Sequence, residues 1–217
     1  MGKNKHIYDL IAEGEHQQLD FKFEISDSKK IARTLVAFAN TDGGTLLIGV
    51  KDNGNIAGIR SEEEYYMIEA ASEMYCEPKI DFKAKEWNLE GKIVLEIKIQ
   101  SSSNKPHKAP DKENRMKTYI RIADENILAP ETIALAWQKQ SGLKGTHIKI
   151  SKPVEKLLNY LNSNPYISVK KFQQIARINY YTAQNILSDL LAVESLSYRF
   201  VNKKIVYGIN KINQENE

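Results

Sequence analysis

The feature that most constrains this chain is a short continuous apolar run at residues 45–50, TLLIGV. It is too short for a buried helix and reads as a strand covered on both faces. Any fold that holds it needs a layer on each side. The flanking sequence supplies one. Residues 29–40, KKIARTLVAFAN, place Ile31, Leu35 and Phe38 on one helical stripe, thickened by Val36 and Ala39. Ser26, Asp27 and Ser28 can each start that helix. Residues 40–44, NTDGG, stop it. Upstream, residues 19–25, LDFKFEI, alternate as a strand. Leu19, Phe21, Phe23 and Ile25 share one face, and Asp20, Lys22 and Glu24 the other. Downstream, Asn53-Gly54 is a two-residue hairpin signal. The local order is strand, helix, strand, hairpin.

Two features of this block bear on chemistry. Gly43-Gly44 could open a phosphate loop, but neither GxxxxGK[ST] nor GxGxxG is present, so a helix cap and tight turn is the better reading. Glu15, Asp20 and Asp52 have two readings. One is a solvated strand face and turn. The other is a set of oxygen ligands for magnesium or manganese, which activate water or stabilise a phosphoryl transition state.

The ordered run E-x4-[DE]-F-K, then A-F-A-N-T-x-G-G-x-L-x-I-G-V-x-D-x-G-x-I-x-G, resembles the Schlafen AlbA-type domain, formerly catalogued as a divergent AAA-type ATP-binding domain. It is carried by Glu15, Asp20, Phe21, Lys22, residues 37–41, Gly43, Gly44, Leu46, Ile48, Gly49, Val50, Asp52, Gly54, Ile56 and Gly58. Residues 105–130 look like the family's second block, a proline-containing loop leading to a Y-[IV]-R strand. The resemblance covers roughly residues 7–140. It implies an α/β nucleic-acid-associated domain. It also implies that, in members with nuclease activity, three acids cut RNA with a metal; these fall on Glu15, Asp20 and Asp52. Asp20 stands where Glu is usual, and one lobe is present where those nucleases have two, so a comparable cleft would need a homodimer. The old ATP label has no Walker motif behind it.

Charge is unevenly placed. Residues 1–140 carry 20 Lys and Arg against 23 Asp and Glu, and residues 141–217 carry 11 against 5. A basic C-terminal piece is the electrostatic footprint of a nucleic-acid binder. No apolar run approaches a membrane span, the N-terminus has no signal-peptide core, and the single Cys76 cannot form an internal disulfide, so the expected location is the cytoplasm.

Further elements follow from pattern. Helices are expected over residues 6–13 and, after Ser61, over residues 61–77, with Pro78 ending the second. Residues 79–100 read as two strands joined at Glu90-Gly91. Residues 101–117 form a long polar loop whose Lys105, Lys108 and Arg115, with Lys22 and with Arg121 on the TYIRI strand, are candidate phosphate or carboxylate partners. Pro130 opens a helix closing the first domain.

Gly142 and Gly145 mark a linker over 141–150. Residues 151–210 then read as three short helices and a strand pair around Asn202-Lys203, a winged helix-turn-helix, with a tail at 211–217. In that motif the second helix of the pair enters the major groove. Tyr181, Gln184, Asn185 and Ser188 are its expected outward face, and Gln184 and Asn185 are the adenine readers. Lys170, Lys171, Arg177, Arg199, Lys203 and Lys204 are expected on phosphates.

The expected class is α+β: an AlbA-like α/β sandwich at 1–140 followed by the small winged helix. The leading functional expectation is a DNA-binding transcriptional regulator, with the AlbA-like domain dimerising or binding nucleic acid. The alternatives are a metal-dependent endoribonuclease using magnesium or manganese, and nucleotide (ATP) binding by the AlbA-like domain.

Overall fold

The computed structural model describes residues 4–142, 148, 150–202 and 204–210. The chain forms two compact units, residues 1–129 and 130–217.

The first unit begins with α1 (Lys5–Glu13), β1 (Leu19–Lys22), α2 (Ser28–Asn40) and β2 (Gly44–Ile48). β1 and β2 pair in parallel, so α2 is the crossover such a pair requires. Then come α3 (Glu63–Tyr75) and the hairpin β3 (Phe82–Leu89), β4 (Lys92–Ile99). The sheet order is β1-β2-β4-β3, with β4 antiparallel to both neighbours. A second, antiparallel sheet holds β5 (Lys108–Pro110), β6 (Met116–Ile122) and β7 (Glu125–Leu128).

β2 is buried on both faces. Leu46 and Ile48 join Ile31, Leu35, Phe38 and Ile68 in the core under α2 and α3. Leu47 and Val50 join Ile7, Leu19 and Phe21 in a second core under α1. Asp27 caps α2 by accepting from the Lys29 and Lys30 N–H groups, and α2 packs against α3 and the second sheet. The Gly-Gly turn is structural. Gly43 has φ +72°, and a Cβ there would lie 2.7 Å from the Ile99 carbonyl oxygen.

Three expectations change here. β1 ends at Lys22, and Phe23 is 38% exposed instead of inward. Asp20, expected on a solvated face, is only 3% exposed, because it lies on the α2 side of the sheet, whereas Lys22 is half-buried and Glu24 exposed. The long polar loop contributes β5, and residues 125–128 pair with β6 as β7, a strand too short to leave a periodic signal.

The second unit holds α4 (Glu131–Ser141), α5 (Lys152–Ser163), α6 (Val169–Ala176), α7 (Tyr180–Ala192) and the hairpin β8 (Leu196–Val201), β9 (Lys204–Ile209). Ser168 and Asn179 cap α6 and α7, as their side chains suggest. Arg177 turns the chain between them in the left-handed conformation. Ile167 and Tyr207 exchange backbone hydrogen bonds, tying the start of α6 to the hairpin. Val154, Leu157, Phe172, Ala183, Leu187 and Leu190 are buried. The helix expected to close the first domain instead groups with this unit: α4 packs along α7. Ile133, Ala134 and Ala136 give it a buried apolar side. The expected linker and tail lie mostly outside the described residues. No helix among the described residues is long and apolar enough to cross a membrane.

Candidate functional site

The first unit gathers its charged motif residues around Arg121. This side chain is only 1% exposed. Its Nη2 donates to Asp20 Oδ1 (3.1 Å) and to the carbonyls of Leu19 (3.1 Å) and His16 (3.3 Å). Its Nη1 donates to Asn126 Oδ1 at 3.1 Å, and the guanidinium lies 5.0 Å from the centre of the Phe38 ring. Lys22 Nζ sits 2.8 Å from Asp20 Oδ2, an ion pair without a directed hydrogen bond. Asp20 thus holds two cations, and Arg121 on β6 clasps β1. Arg121 is therefore a carboxylate partner and is not available to phosphate.

Glu15 leans on the same group. Its Oε1 accepts from the Phe21 N–H at 2.9 Å. Burial pushes its carboxyl above the usual range, opposed by the Phe21 N–H and reinforced by the neighbouring Asp20. Asp52 stands exposed in the 50–56 hairpin, whose turn is closed by Gly54 N–H on the Lys51 carbonyl. Among the described residues, no three His, Cys, Asp or Glu side chains converge to share a metal ion. The donor set does not fit magnesium or manganese, since the central carboxylate is already occupied by protein cations.

Two of the other candidate cations are also committed. Arg115 pairs with Asp111 (2.8 Å) and Glu113 (2.7 Å). Lys105 reaches the Thr41 carbonyl at 3.3 Å, and burial lowers its pKa. Lys108 is half-buried on β5. Two further cations gather at Phe23, just after β1: Lys51 and Arg60 stand 5.3 and 5.7 Å from the centre of its ring. Sequence reading did not single them out, because the expected burial of Phe23 hid the arrangement.

Asn40 explains another part of the motif. Fully buried, it donates to the carbonyls of His107 and Tyr119 (both 2.9 Å) and accepts from the His107 N–H at 2.8 Å. It locks the end of α2 to the proline loop and to β6. The two sequence blocks are thus joined by Asn40 and by the Asp20–Arg121 pair.

These blocks decide the family. The family model described as Schlafen, AlbA_2 matches residues 15–130. The chain belongs to the Schlafen AlbA_2 family. Among solved structures, it is similar to the DIP2311 protein from Corynebacterium diphtheriae, at 19% identity and a TM-score of 0.45. That match covers 75% of this chain and 34% of that one, so the chain spans about a third of its length. It is also similar to the N-terminal domain of a RecG-related protein from Nitrosomonas europaea, at 18% identity and a TM-score of 0.36, covering 65% of this chain and 97% of that one. No curated protein matches the chain.

In the second unit, Tyr181 is 77% exposed, and Tyr180 and Asn185 are also exposed. Gln184, at 7%, and Ser188 are buried, contrary to the expected outward face. The cause is α4. Lys139 Nζ donates to Ser188 Oγ (2.6 Å) and Asp189 Oδ1 (2.7 Å) and reaches the Asn185 carbonyl at 3.4 Å. Gln184 and Ser188 thus lie on a covered side of α7. Lys170, Lys171, Arg177, Arg199 and Lys204 are all exposed. Lys203 lies outside the described residues.

Proposed function

We propose that the chain is a DNA-binding regulator whose second unit works as a winged helix-turn-helix on duplex DNA. The observation that carries this reading is the exposed start of α7. Tyr180, Tyr181 and Asn185 are exposed on it, and Arg177 is exposed just before it. A helix that enters the major groove reads base edges from its N-terminal part. Of the two expected adenine readers only Asn185 is kept, since a buried amide such as that of Gln184 cannot reach a base. The exposed cations on α6 and the hairpin supply phosphate contacts, which give affinity without sequence preference. The order α5, α6, α7 and the β8–β9 hairpin supports the same reading.

The test is selection of genomic fragments by the full chain, with wild type beside Asn185→Ala and Arg199→Ala. Wild type should enrich a defined set. Asn185→Ala should lose one base preference within it, and Arg199→Ala should weaken all fragments alike. No enrichment at low salt would refute the proposal. The ribonuclease alternative gains no support from the first unit, where Asp20 is bound to Arg121 and Lys22.

A further inference from the structure

β3 is the last strand of its sheet. It pairs with β4 on one side and has no ladder partner on the other among the described residues. Its register is one-to-one from Phe82 to Leu89, without a bulge or proline. The β3–β4 turn is Glu90-Gly91, with φ of 54° and 81°, as a type I′ hairpin requires. Such a turn makes Leu89 and Lys92 a hydrogen-bonded pair. Alternation then directs the backbone of Lys83, Lys85 and Trp87 to β4. It turns the N–H and C=O groups of Phe82, Ala84 and Glu86 outward. Asn88 agrees with this parity, since its carbonyl accepts from Asn4 Nδ2 at 2.7 Å. Asn4 covers that end, and residues 82–86 stay open.

A groove runs beside this open edge. A cavity of about 320 Å³ lies between α3 and β3, walled by Tyr65, Ser72, Ile80, Phe82 and Ala84. Glu69, Glu73 and Asp81 also line it against one cation, Lys79, which pairs with Glu73 at 2.7 Å. The other face of the edge presents Lys83 and Lys85, both exposed. The edge is therefore acidic on the α3 side and basic on the opposite side.

A second copy of β3 fits the middle of this edge poorly. Two-fold antiparallel pairing preserves the sheet faces, so the axis must pass through a residue position. Through Lys85 it opposes two lysines, and through Glu86 two glutamates. Through Ala84 it sets Lys83 against Lys85 twice. Like charges directly opposite are unfavourable.

We propose that the β3 edge and the α3–β3 groove dock an extended peptide segment of a partner protein, added as a further strand. Backbone bonds to Phe82, Ala84 and Glu86 hold it. Its side chains alternate, apolar or basic toward α3 and acidic toward Lys83 and Lys85. This site is independent of DNA binding by the second unit.

The probe is a nine-residue peptide with Glu at alternate positions and Val or Lys between them, titrated into the isotope-labelled full chain by NMR. The control peptide replaces every Glu by Lys, so that no register offers a carboxylate to Lys83 and Lys85. Binding should protect the Ala84 and Glu86 amides from exchange and leave Lys83 and Lys85 as they were. The control should bind at least about tenfold more weakly, the loss of about 1.4 kcal/mol. Ala84→Pro removes an outward N–H while sparing the bonds to β4, and should abolish binding without loss of the sheet's amide spectrum. Glu69→Lys, away from the strand, should weaken the Lys-containing peptide more than a version with Val in place of each Lys. Equal binding of both peptides, binding without protection at Ala84 and Glu86, no binding at millimolar peptide, or a dimer that already protects those amides would each overturn the proposal.

Discussion

Replacing Arg121 with methionine tests how the AlbA-like unit is held together. The guanidinium is almost fully buried and bonds Asp20, Asn126 and the carbonyls of Leu19 and His16. Removing one partner of a buried pair costs about 3–5 kcal/mol, mostly because the other charge is left uncompensated. Lys22 remains 2.8 Å from Asp20 and tempers that term. Against it stands the partly buried Asn126 Oδ1, which loses its donor at about 1–3 kcal/mol for a buried group left unpaired, while the Leu19 and His16 carbonyls keep each other's N–H groups. The expected cost is therefore about 3–5 kcal/mol. Asp20→Leu combined with Arg121→Met removes both charges and should cost less than the sum of the single changes. Urea unfolding followed by Trp87 fluorescence in a Trp137→Phe background reads this unit. A loss below about 1 kcal/mol for Arg121→Met, or a double variant at least as unstable as the sum, would refute the clasp.

Three further outcomes follow from the same geometry. His107 is buried, with Nδ1 on the Pro78 carbonyl (2.8 Å) and Nε2 on Ser102 Oγ (2.7 Å). Burial, with the charge of Lys105, lowers its pKa below 6.5 against the Pro78 carbonyl, so stability is complete above pH 6.5 and is lost as pH falls toward the folded value; His107→Gln should flatten that part of the stability–pH curve. Gly43→Ala forces a side chain into φ +72° and against the Ile99 carbonyl, and should cost about 1–3 kcal/mol in urea unfolding. Burial pushes the Cys76 thiol up to about 12, so iodoacetamide at pH 8 should leave the folded chain unlabelled and modify it in denaturant.

The fold was legible where side-chain period and turn chemistry agree. The buried run gave β2, the apolar stripe gave α2, Glu90-Gly91 gave the β3–β4 turn, and Ser168 and Asn179 marked α6 and α7. The site was less legible, because spacing does not report what lies opposite a residue. Asp20 looked solvated on its own strand, and only the pairing with Arg121, far along the chain, shows it to be inside. Gln184 and Ser188 looked outward on α7 because the sequence does not say that α4 packs there. A domain boundary drawn at the charge switch put α4 on the wrong side for a related reason: its buried face is short, and its partner comes later in the chain.

The exposed start of α7 is proposed to read duplex DNA. The most direct measurement is fluorescence anisotropy of the full chain on its best selected duplex, as a function of salt. Wild type, Tyr181→Ala, Asn185→Ala and Gln184→Ala should be compared on matched and single-base-changed sites. Binding should weaken steeply with salt. Asn185→Ala should lose about 1–3 kcal/mol of base discrimination, Tyr181→Ala should bind more weakly, and folded Gln184→Ala should keep its discrimination. Salt-independent binding, or discrimination lost in Gln184→Ala and kept in Asn185→Ala, would contradict the proposal.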